Sequence, residues 1–380
     1  MKAIPYGRQY IDKKDIKGVQ KTLENDLITS GNEAIKFEKK ISSFLNCKYA
    51  TTCNSGTSAI YLSFLAIDLK KNDNIIMPAI NFVASYNLAK TLGANVYLAD
   101  VDKFTGQMTP DDIENCCKKF KIKKTKAILA MYNGGYPLNA EKYIKFKKKL
   151  KCFIIEDACH ALGAEYKFKN SYLKIGSCNH VDISTFSLHP LKTITTGEGG
   201  IVTTNSRLLD NKIKKYRSHG IQRSKKHWEY DVIYPGFNFR MNEFQCSLGI
   251  SQLKKIKLFL NNRKKISEKY NKELKNISKI NIQRNNKLYK SSFHLYLINL
   301  KKPNLKIKEK LIKYMMKNNI KLQYHYIPIY KFKLFSDKYI SKNAEIYFRS
   351  TLSLPIFYKL SLKDQNYIIY KLKFFLKTNL

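Results

Sequence analysis

The stretch "SLHPLKTITTGEGG" (187–200) sets one lysine, Lys192, between a Ser-x-His-Pro and a run of threonines and glycines. Lysine abounds throughout this chain, so the neighbours carry the meaning. "DISTF" (182–186) precedes the stretch and "IVTTN" (201–205) follows it; both are short apolar, β-branched runs of the kind that form buried strands. The Thr-Gly-Glu-Gly-Gly turn between them gives the backbone the freedom that a tight return requires. Lys192 is therefore expected on a loop at the ends of two core strands. Alone, a lysine on a loop is an ordinary solvated side chain. Its meaning depends on what else the fold brings to the same strand ends.

Toward the N-terminus, "KYATTC" (48–53), "NIIMPAI" (74–80), "NVYLADVD" (95–102), "KAILAMY" (126–132) and "CFIIED" (152–157) read as further strands. Between them lie segments with apolar residues at helical spacing: "GTSAIYLSFLAI" (56–67), "SYNLAKTLG" (85–93), "TPDDIENCCKKF" (109–120) and "EKYIKFKKKL" (141–150). In the third of these, Thr109 is placed as N-cap and Pro110 as first helical residue. Two more helical segments, 15–26 and 34–45, open the chain. Strand–helix alternation at this spacing predicts an α/β fold with a mostly parallel sheet covered by helices on both faces. Ligands of such sheets bind beyond the carboxyl ends of the strands.

The pattern changes after about residue 205. A helix over 207–218 leads into an irregular segment, 219–243, then a long helical stretch from about 242 to 275. A strand (291–300), a helix (307–319) and a last amphipathic helix (362–377) follow. Residues 1–249 are read as a large domain with an N-terminal helical segment, and 250–380 as a smaller α+β domain.

Composition narrows the classes. The chain has 380 residues, 44% of them hydrophobic, which is ordinary for a globular protein. No run of about 18 or more apolar residues predicts a membrane span, and the first residues lack a signal-peptide core. The net charge of +41 is nearly all lysine spread along the whole chain, with none of the arginine and aromatic clustering of a nucleic-acid surface. It reads as composition bias. Eight cysteines show no CxxC pair and no zinc spacing. No metal, nucleic-acid or membrane partner is expected, and the location expected is cytoplasmic with reduced thiols.

Four chemical parts fall at the predicted strand ends. Gly56, Thr57 and Ser58 open a helix, whose N–H groups and hydroxyls suit a phosphate. Asp157 ends the apolar strand "CFIIE" and suits a protonated ring nitrogen. Phe82 follows a strand and suits a stacking aromatic. Lys192 suits an aldehyde. Together they fit pyridoxal 5'-phosphate, which is held by a lysine Schiff base and an acid facing its pyridinium. Each part has a plainer explanation: a Ser-Thr helix cap, a turn aspartate, a core phenylalanine, and, for His160, a satisfied structural histidine.

The order of these parts is similar to that in the DegT-type sugar-nucleotide aminotransferases. The similarity is carried by "NSGTSAIYLSFLA" (54–66), "INFVASYNLAKTLGANVYLADVD" (80–102), "IEDACHALGAEY" (155–166), "STFSLHPLKTITTGEGGIVTTN" (184–205), "SHGI" (218–221) and "GFNFRMNEFQCSLGISQL" (236–253). The resemblance runs from about residue 4 to the C-terminus. It implies the PLP-dependent transferase fold type I, with a seven-stranded-type sheet, and a homodimer with shared active sites. In it Lys192 is the catalytic lysine that anchors the aldehyde and shuttles protons, Asp157 the ring-nitrogen partner, and His160 the neighbour of the ring hydroxyl. Gly56, Thr57, Ser58 and Ser187 surround the phosphate, Phe82 stacks on the ring, and Asn238 reaches the neighbouring subunit's phosphate. Some members carry histidine at the anchor position and act as dehydratases, so Lys192 favours transamination. "HALGAEY", "SHGI" and "QYHYIPIY" (323–330) further resemble the transaminases of pseudaminic acid synthesis. That resemblance implies transfer from L-glutamate to the 4-keto carbon of a UDP-linked 6-deoxy N-acetyl hexose, in two half-reactions. The same chemistry on a GDP-4-keto-6-deoxymannose or a dTDP-keto sugar is the alternative, and a non-catalytic PLP-binding regulator a more distant one. Tyr324, His325 and Tyr326, with the loop 218–235, are the expected sugar contacts.

Overall fold

The computed structural model describes residues 3–226, 228–283, 286–335 and 339–379. The first part of the chain runs α1 (Lys13–Leu23), α2 (Asn32–Leu45), β1 (Tyr49–Cys53), α3 (Gly56–Ala66), β2 (Asn74–Pro78), α4 (Ala84–Thr91), β3 (Asn95–Ala99), α5 (Pro110–Lys119), β4 (Ala127–Met131), α6 (Ile144–Leu150) and β5 (Phe153–Asp157). A hairpin, β6 (Glu165–Phe168) and β7 (Ser171–Lys174), precedes β8 (Ile183–Ser187), β9 (Gly200–Thr204) and α7 (Arg207–Arg217). Then come a second hairpin, β10 (Ile221–Arg223) and β11 (Tyr230–Val232), and the helices α8 (Glu243–Lys254) and α9 (Ile256–Leu274). The chain closes with β12 (Ile280–Ile282), β13 (Tyr289–Lys290), β14 (Tyr296–Leu300), α10 (Leu305–Lys317), α11 (Lys342–Ser350), β15 (Thr351–Leu354) and α12 (Leu362–Asn379).

Seven strands form the central sheet in the order β1-β9-β8-β5-β4-β2-β3. Only β9 runs antiparallel to its neighbours, so the sheet is mostly parallel. Apart from the edge strand β3, whose Asn95 is exposed and whose Val96 and Tyr97 are half-buried, the strands are largely buried on both faces, and two apolar clusters fill the two sides. On one side Phe37, Ile41 and Leu45 of α2 and Phe146 of α6 meet Ile128, Ile154 and Phe186. On the other, Ile60, Leu62 and Phe64 of α3 and Ile213 of α7 meet Ile75, Ile155 and Val202. The alternation along β5 thus sends Glu156 into one side and Asp157 toward the other. Glu156 is capped internally by Tyr132 at 2.7 Å and Ser184 at 2.5 Å. Asp157 stands at the strand's carboxyl end.

A third cluster joins α9, α10 and α12 to the small sheet β12-β14-β15, and Ile4 enters it from the far N-terminus. Local signals start the helices where the sequence predicts. Thr109 and Asp112 cap each other ahead of Pro110.

The long helix expected over 242–275 is two helices with a break at Lys255. No proline or glycine explains the break. Lys255 is pinned by Asp12 at 2.8 Å and Asp15 at 2.6 Å, both at the start of α1, and this tertiary anchor decides where the helix turns. The irregular segment 219–243 contains the β10–β11 hairpin, and β13 is a strand only because it pairs with β6. Such short strands depend on distant partners rather than on their own periodicity.

Candidate active site

A cavity of about 630 Å³ opens beyond the carboxyl ends of the parallel strands, within the size range of small-molecule sites. Gly56, Thr57, Phe82, Asp157, His160 and Ser187 line it together with Lys192. Residues separated by more than a hundred positions therefore meet where the sequence places them. Tyr324, His325 and Tyr326 form the opposite wall.

The floor is built by close backbone approach. Ser55 caps α3 by accepting from the Ser58 N–H at 3.0 Å. The N–H groups of Gly56 and Thr57, in the first turn, have no intrahelical acceptor and give the helix end its positive potential. A Cβ on Gly56 would lie 2.7 Å from Cβ of Ser187, so only glycine lets β8 and α3 close around the same space. Thr57 is exposed at this end. Ser58 is placed differently: its hydroxyl donates to Asn54 at 2.6 Å, and its side chain does not line the cavity.

Asp157 is buried and accepts the Cys159 N–H at 3.2 Å. Burial raises its carboxyl above the usual range, against lowering by its Cys159 hydrogen bonds and by the charge of Lys192. Lys192 sits on the turn after β8, its N–H bonded to the His189 carbonyl at 2.9 Å. Burial of its amine pushes its pKa down, partly offset by Cys159 and Asp157. A lysine with a depressed pKa holds more free amine at neutral pH, the form that attacks a carbonyl. Nothing in the sequence around Lys192 shows this shift; it arises from burial in the folded chain.

His160 is held at both nitrogens. The Gly134 N–H donates to Nδ1 at 3.3 Å, and Nε2 lies 2.9 Å from the Tyr326 hydroxyl. The first contact makes Nδ1 the acceptor, so the hydrogen sits on Nε2 and is given to Tyr326. Burial holds His160 well below the ordinary imidazole range, with the charge of Lys192 acting in the same direction. Phe82 is 55% exposed at the rim, its ring 5.9 Å from that of Tyr326.

His325 is buried, with Nδ1 2.8 Å from the Ser353 hydroxyl, and burial pushes its pKa down to about 3. Tyr324 packs its ring against Lys308 at 3.9 Å. Asn238 does not line its own chain's cavity. Its side chain is exposed, and its carbonyl accepts from Asn54 at 3.5 Å, next to the start of α3. The loop 218–235 carries the β10–β11 hairpin and also lies outside the cavity wall; His227 within it is outside the described residues.

Among the lining residues not singled out from sequence are four with chemistry to offer: Tyr6, Asn81, Cys159 and His294. Tyr6 arrives because Ile4 and Tyr6 pair with Asn319, Lys321 and Ile356 of the small domain. His294 arrives just ahead of β14, its ring 4.2 Å from that of His160 and tilted by 35°. Asn81 and Cys159 lay inside quoted motifs, and their distance of one or two residues from Phe82 and Asp157 was the available signal. Among the described residues no group of three or more His, Cys, Asp or Glu side chains is arranged to hold a metal ion. No helix among them is long and apolar enough to cross a membrane.

The profile of the DegT/DnrJ/EryC1/StrS aminotransferase family matches residues 9–373. The chain is 34% identical over 368 residues to the UDP-4-amino-4,6-dideoxy-N-acetyl-beta-L-altrosamine transaminase of Campylobacter jejuni, covering 96% of this chain and 95% of that one. Among solved structures it is similar to the Helicobacter pylori aminotransferase PseC, involved in the biosynthesis of pseudoaminic acid, with a TM-score of 0.90, 30% identity, and coverage of 99% and 100% of the two chains. It is likewise similar to the PLP-form of a putative sugar aminotransferase of Streptococcus pneumoniae, with a TM-score of 0.89, 26% identity, and full coverage of both chains (100% and 100%). The chain belongs to the DegT/DnrJ/EryC1/StrS aminotransferase family and is a sugar aminotransferase.

Proposed function

We propose that this sugar aminotransferase uses pyridoxal phosphate to move an amino group from L-glutamate to the 4-keto carbon of a UDP-linked 6-deoxy N-acetyl hexose. The observation that carries the reading is that Lys192 and Asp157 share one cavity at the open N-terminus of α3. The residues fit the cofactor. The close approach of Gly56 to Ser187 leaves a cradle that a Cβ would fill. The depressed lysine and the buried carboxylate supply a nucleophile and an anionic partner. When bound, the cofactor supplies an aldehyde that exchanges its oxygen for an amino group and a ring that accepts the electron pair released from a carbon–hydrogen bond.

The chain's own groups do the rest. Thr57, Ser187 and the free N–H groups of Gly56 and Thr57 take the phosphate at the positive helix end. Asp157 keeps the ring nitrogen protonated, and that positive partner offsets the burial of its carboxylate. Phe82 covers one ring face, and His160 stands beside the ring hydroxyl. Lys192 Nζ carries the proton between the donor carbon and the cofactor carbon. Glutamate leaves as 2-oxoglutarate before the sugar enters, so the two half-reactions use one site in turn. Tyr324, His325 and Tyr326 face the sugar. The substrate assignment is supported by the Campylobacter relative's name and length match.

Asn238 serves a second copy's site in this reading. Its exposed side chain sits next to Phe237 and near a hairpin that shows Trp228, Tyr230 and Val232 to solvent, each of the four 38% exposed or more, an apolar surface suited to a homodimer. The boundary expected at 249/250 falls inside α8 (Glu243–Lys254); in this reading the cofactor domain runs to the break at Lys255, and the segments beyond it form the domain that closes over it.

Purified protein should absorb in the visible, and borohydride should fix the cofactor to Lys192. Label on another lysine overturns the anchor. A panel of UDP-, GDP- and dTDP-linked keto sugars with glutamate then tests the substrate: preference for a GDP- or dTDP-sugar overturns the UDP assignment and leaves the reaction intact. Mixing Lys192→Ala with Asn238→Ala should restore activity on subunit exchange, because one site of each mixed dimer then carries neither lesion. Exchange without recovery rules out a shared site.

A further inference from the structure

A second cavity, of about 360 Å³, lies behind the first. The turn after β3, the segment 133–138 after β4, and the strands β12 and β14 enclose it. Its wall holds six carboxamide side chains: Gln107, Asn133, Asn281, Gln283, Asn286 and Asn299. Asp102 is the one formal charge among the described wall residues, in a chain with 70 lysines and arginines. A carboxamide offers both a donor and an acceptor, as a hydroxyl does, so this wall is complementary to a polyhydroxylated ligand. The ring of Phe104, 48% exposed, and that of Tyr136 add flat apolar faces, and Leu138 and Ile282 add room for a methyl group.

The site is built rather than incidental. Asn299 Nδ2 holds the Phe104 carbonyl at 3.3 Å and Thr351 at 2.5 Å. Asn133 Nδ2 binds the Thr105 carbonyl at 3.1 Å, the His325 carbonyl at 3.2 Å and the Tyr347 hydroxyl at 2.7 Å. The carbonyl oxygens of the Gln107 and Asn133 side chains are buried without a hydrogen-bond partner among the described residues. Both residues line this wall, so two acceptors that the fold leaves unpaired lie at its surface layer. Asn133 and Gly134 also form the partition between the cavities, since the Gly134 N–H orients His160 on the other side.

We propose that this second cavity binds an uncharged sugar bearing a methyl-containing substituent, at a site distinct from the one that holds Lys192. N-acetylglucosamine is the probe, read by saturation-transfer NMR on its acetyl methyl with the full-length, cofactor-loaded protein. Saturable binding is expected, kept in a Phe82→Ala variant of the main cavity and weakened at least about tenfold when two carboxamide partners are lost in Asn281→Leu/Gln283→Leu. Asn286→Trp, at an exposed position on the rim, should weaken it as well, without touching the buried wall. Glucose should bind less well than the probe, and glucose 6-phosphate worse than glucose, because Asp102 repels the phosphate. Absence of saturable binding, binding lost in Phe82→Ala but kept in the wall variants, or a preference for the phosphorylated sugar would each overturn the proposal.

Discussion

The two walls of the main cavity are made in opposite ways. One is the carboxyl end of the sheet, where Asp157 ends β5, Gly56 opens α3 after β1, and Lys192 sits on the turn after β8, each fixed by the strand immediately beside it. The other is the segment 323–326, which contains no strand or helix of its own. It is held by the Ser353 N–H to the Gln323 carbonyl at 3.0 Å, the Ser353 hydroxyl to His325, and Asn133 and Tyr347 to the His325 carbonyl. The first wall is rigid because the core is rigid, and it suits groups whose chemistry demands fixed placement. The second hangs on a few hydrogen bonds from distant elements, so substitutions in those elements can re-aim it without disturbing the core. The difference suggests that reaction type resides in the sheet wall and substrate choice in the other.

The largest effect belongs to the sheet wall. Lys192→Ala should lower transamination by at least about 10²–10⁴-fold, the scale of a removed acid–base group, and abolish the visible absorption of the purified protein. Asp157→Asn should keep cofactor and lose most turnover, since a neutral ring is a poorer electron sink. If either variant retained near-wild-type turnover while a change at Tyr326 or His325 abolished it, the division between the walls would be inverted.

The buried imidazoles and the buried carboxyls titrate in opposite senses. His160, His294 and His325 are held below the ordinary imidazole range by burial. Unfolding returns them to a pKa near 6.5, so the unfolded chain binds more protons and stability falls as pH drops below that value. Each imidazole contributes up to about 1.4 kcal/mol per pH unit between 6.5 and its native pKa, which for His325 is about 3. Asp157 and Glu156 are raised by burial and work the other way, adding stability as they protonate in the fold. His180 and His189 are lowered by burial as well; with five imidazoles shifted in the same direction, the melting temperature should drop between pH 7.5 and 5.5, and His325→Gln should flatten part of that drop. An unchanged melting temperature over this range would show that these rings protonate in place.

Tyr326→Phe should have an intermediate effect. The hydroxyl accepts from His160 Nε2, so its loss leaves a buried N–H unpaired and frees the ring beside Phe82. A neutral hydrogen bond of about 1 kcal/mol corresponds to a loss of five- to tenfold in kcat/KM. It should fall mainly on KM for the sugar, with the glutamate half-reaction little changed. Equal losses in both half-reactions would assign Tyr326 to the chemistry and weaken the contrast between the walls.

How far each wall could be read from sequence follows the same physics. Strand–helix alternation, the Thr109–Pro110 helix start and the loop position of Lys192 are local, and the structure contains each of them. Gly56, Asp157 and Lys192 could be grouped because parallel strands end on one side of a sheet. His294 and Tyr6 could not, since they reach the cavity only through the approach to β14 and through the pairing of residues 4–6 with the small domain. The break at Lys255 was equally invisible, being set by Asp12 and Asp15 some 240 positions away. Ser58 sits one residue from Thr57 in the same motif, yet its hydroxyl turns to Asn54; composition and spacing do not distinguish these two directions.

The finest test concerns a single bond. Ser353→Ala removes the hydroxyl at His325 Nδ1 but keeps the backbone N–H that holds Gln323, and β15 retains its pairing with β14. The segment should therefore stay in place while the His325 ring loses its tether. A bond of this kind is worth roughly 0.5–1.5 kcal/mol, so KM for the sugar should rise two- to about tenfold with kcat nearly constant. Ser353→Thr restores a hydroxyl at the same position and should recover most of the loss, which a general loss of stability would not allow. A fall in kcat at constant KM would move His325 into the chemistry. No change in either constant would mean that His325 does not face the sugar, and the second wall would then rest on Tyr324 and Tyr326 alone.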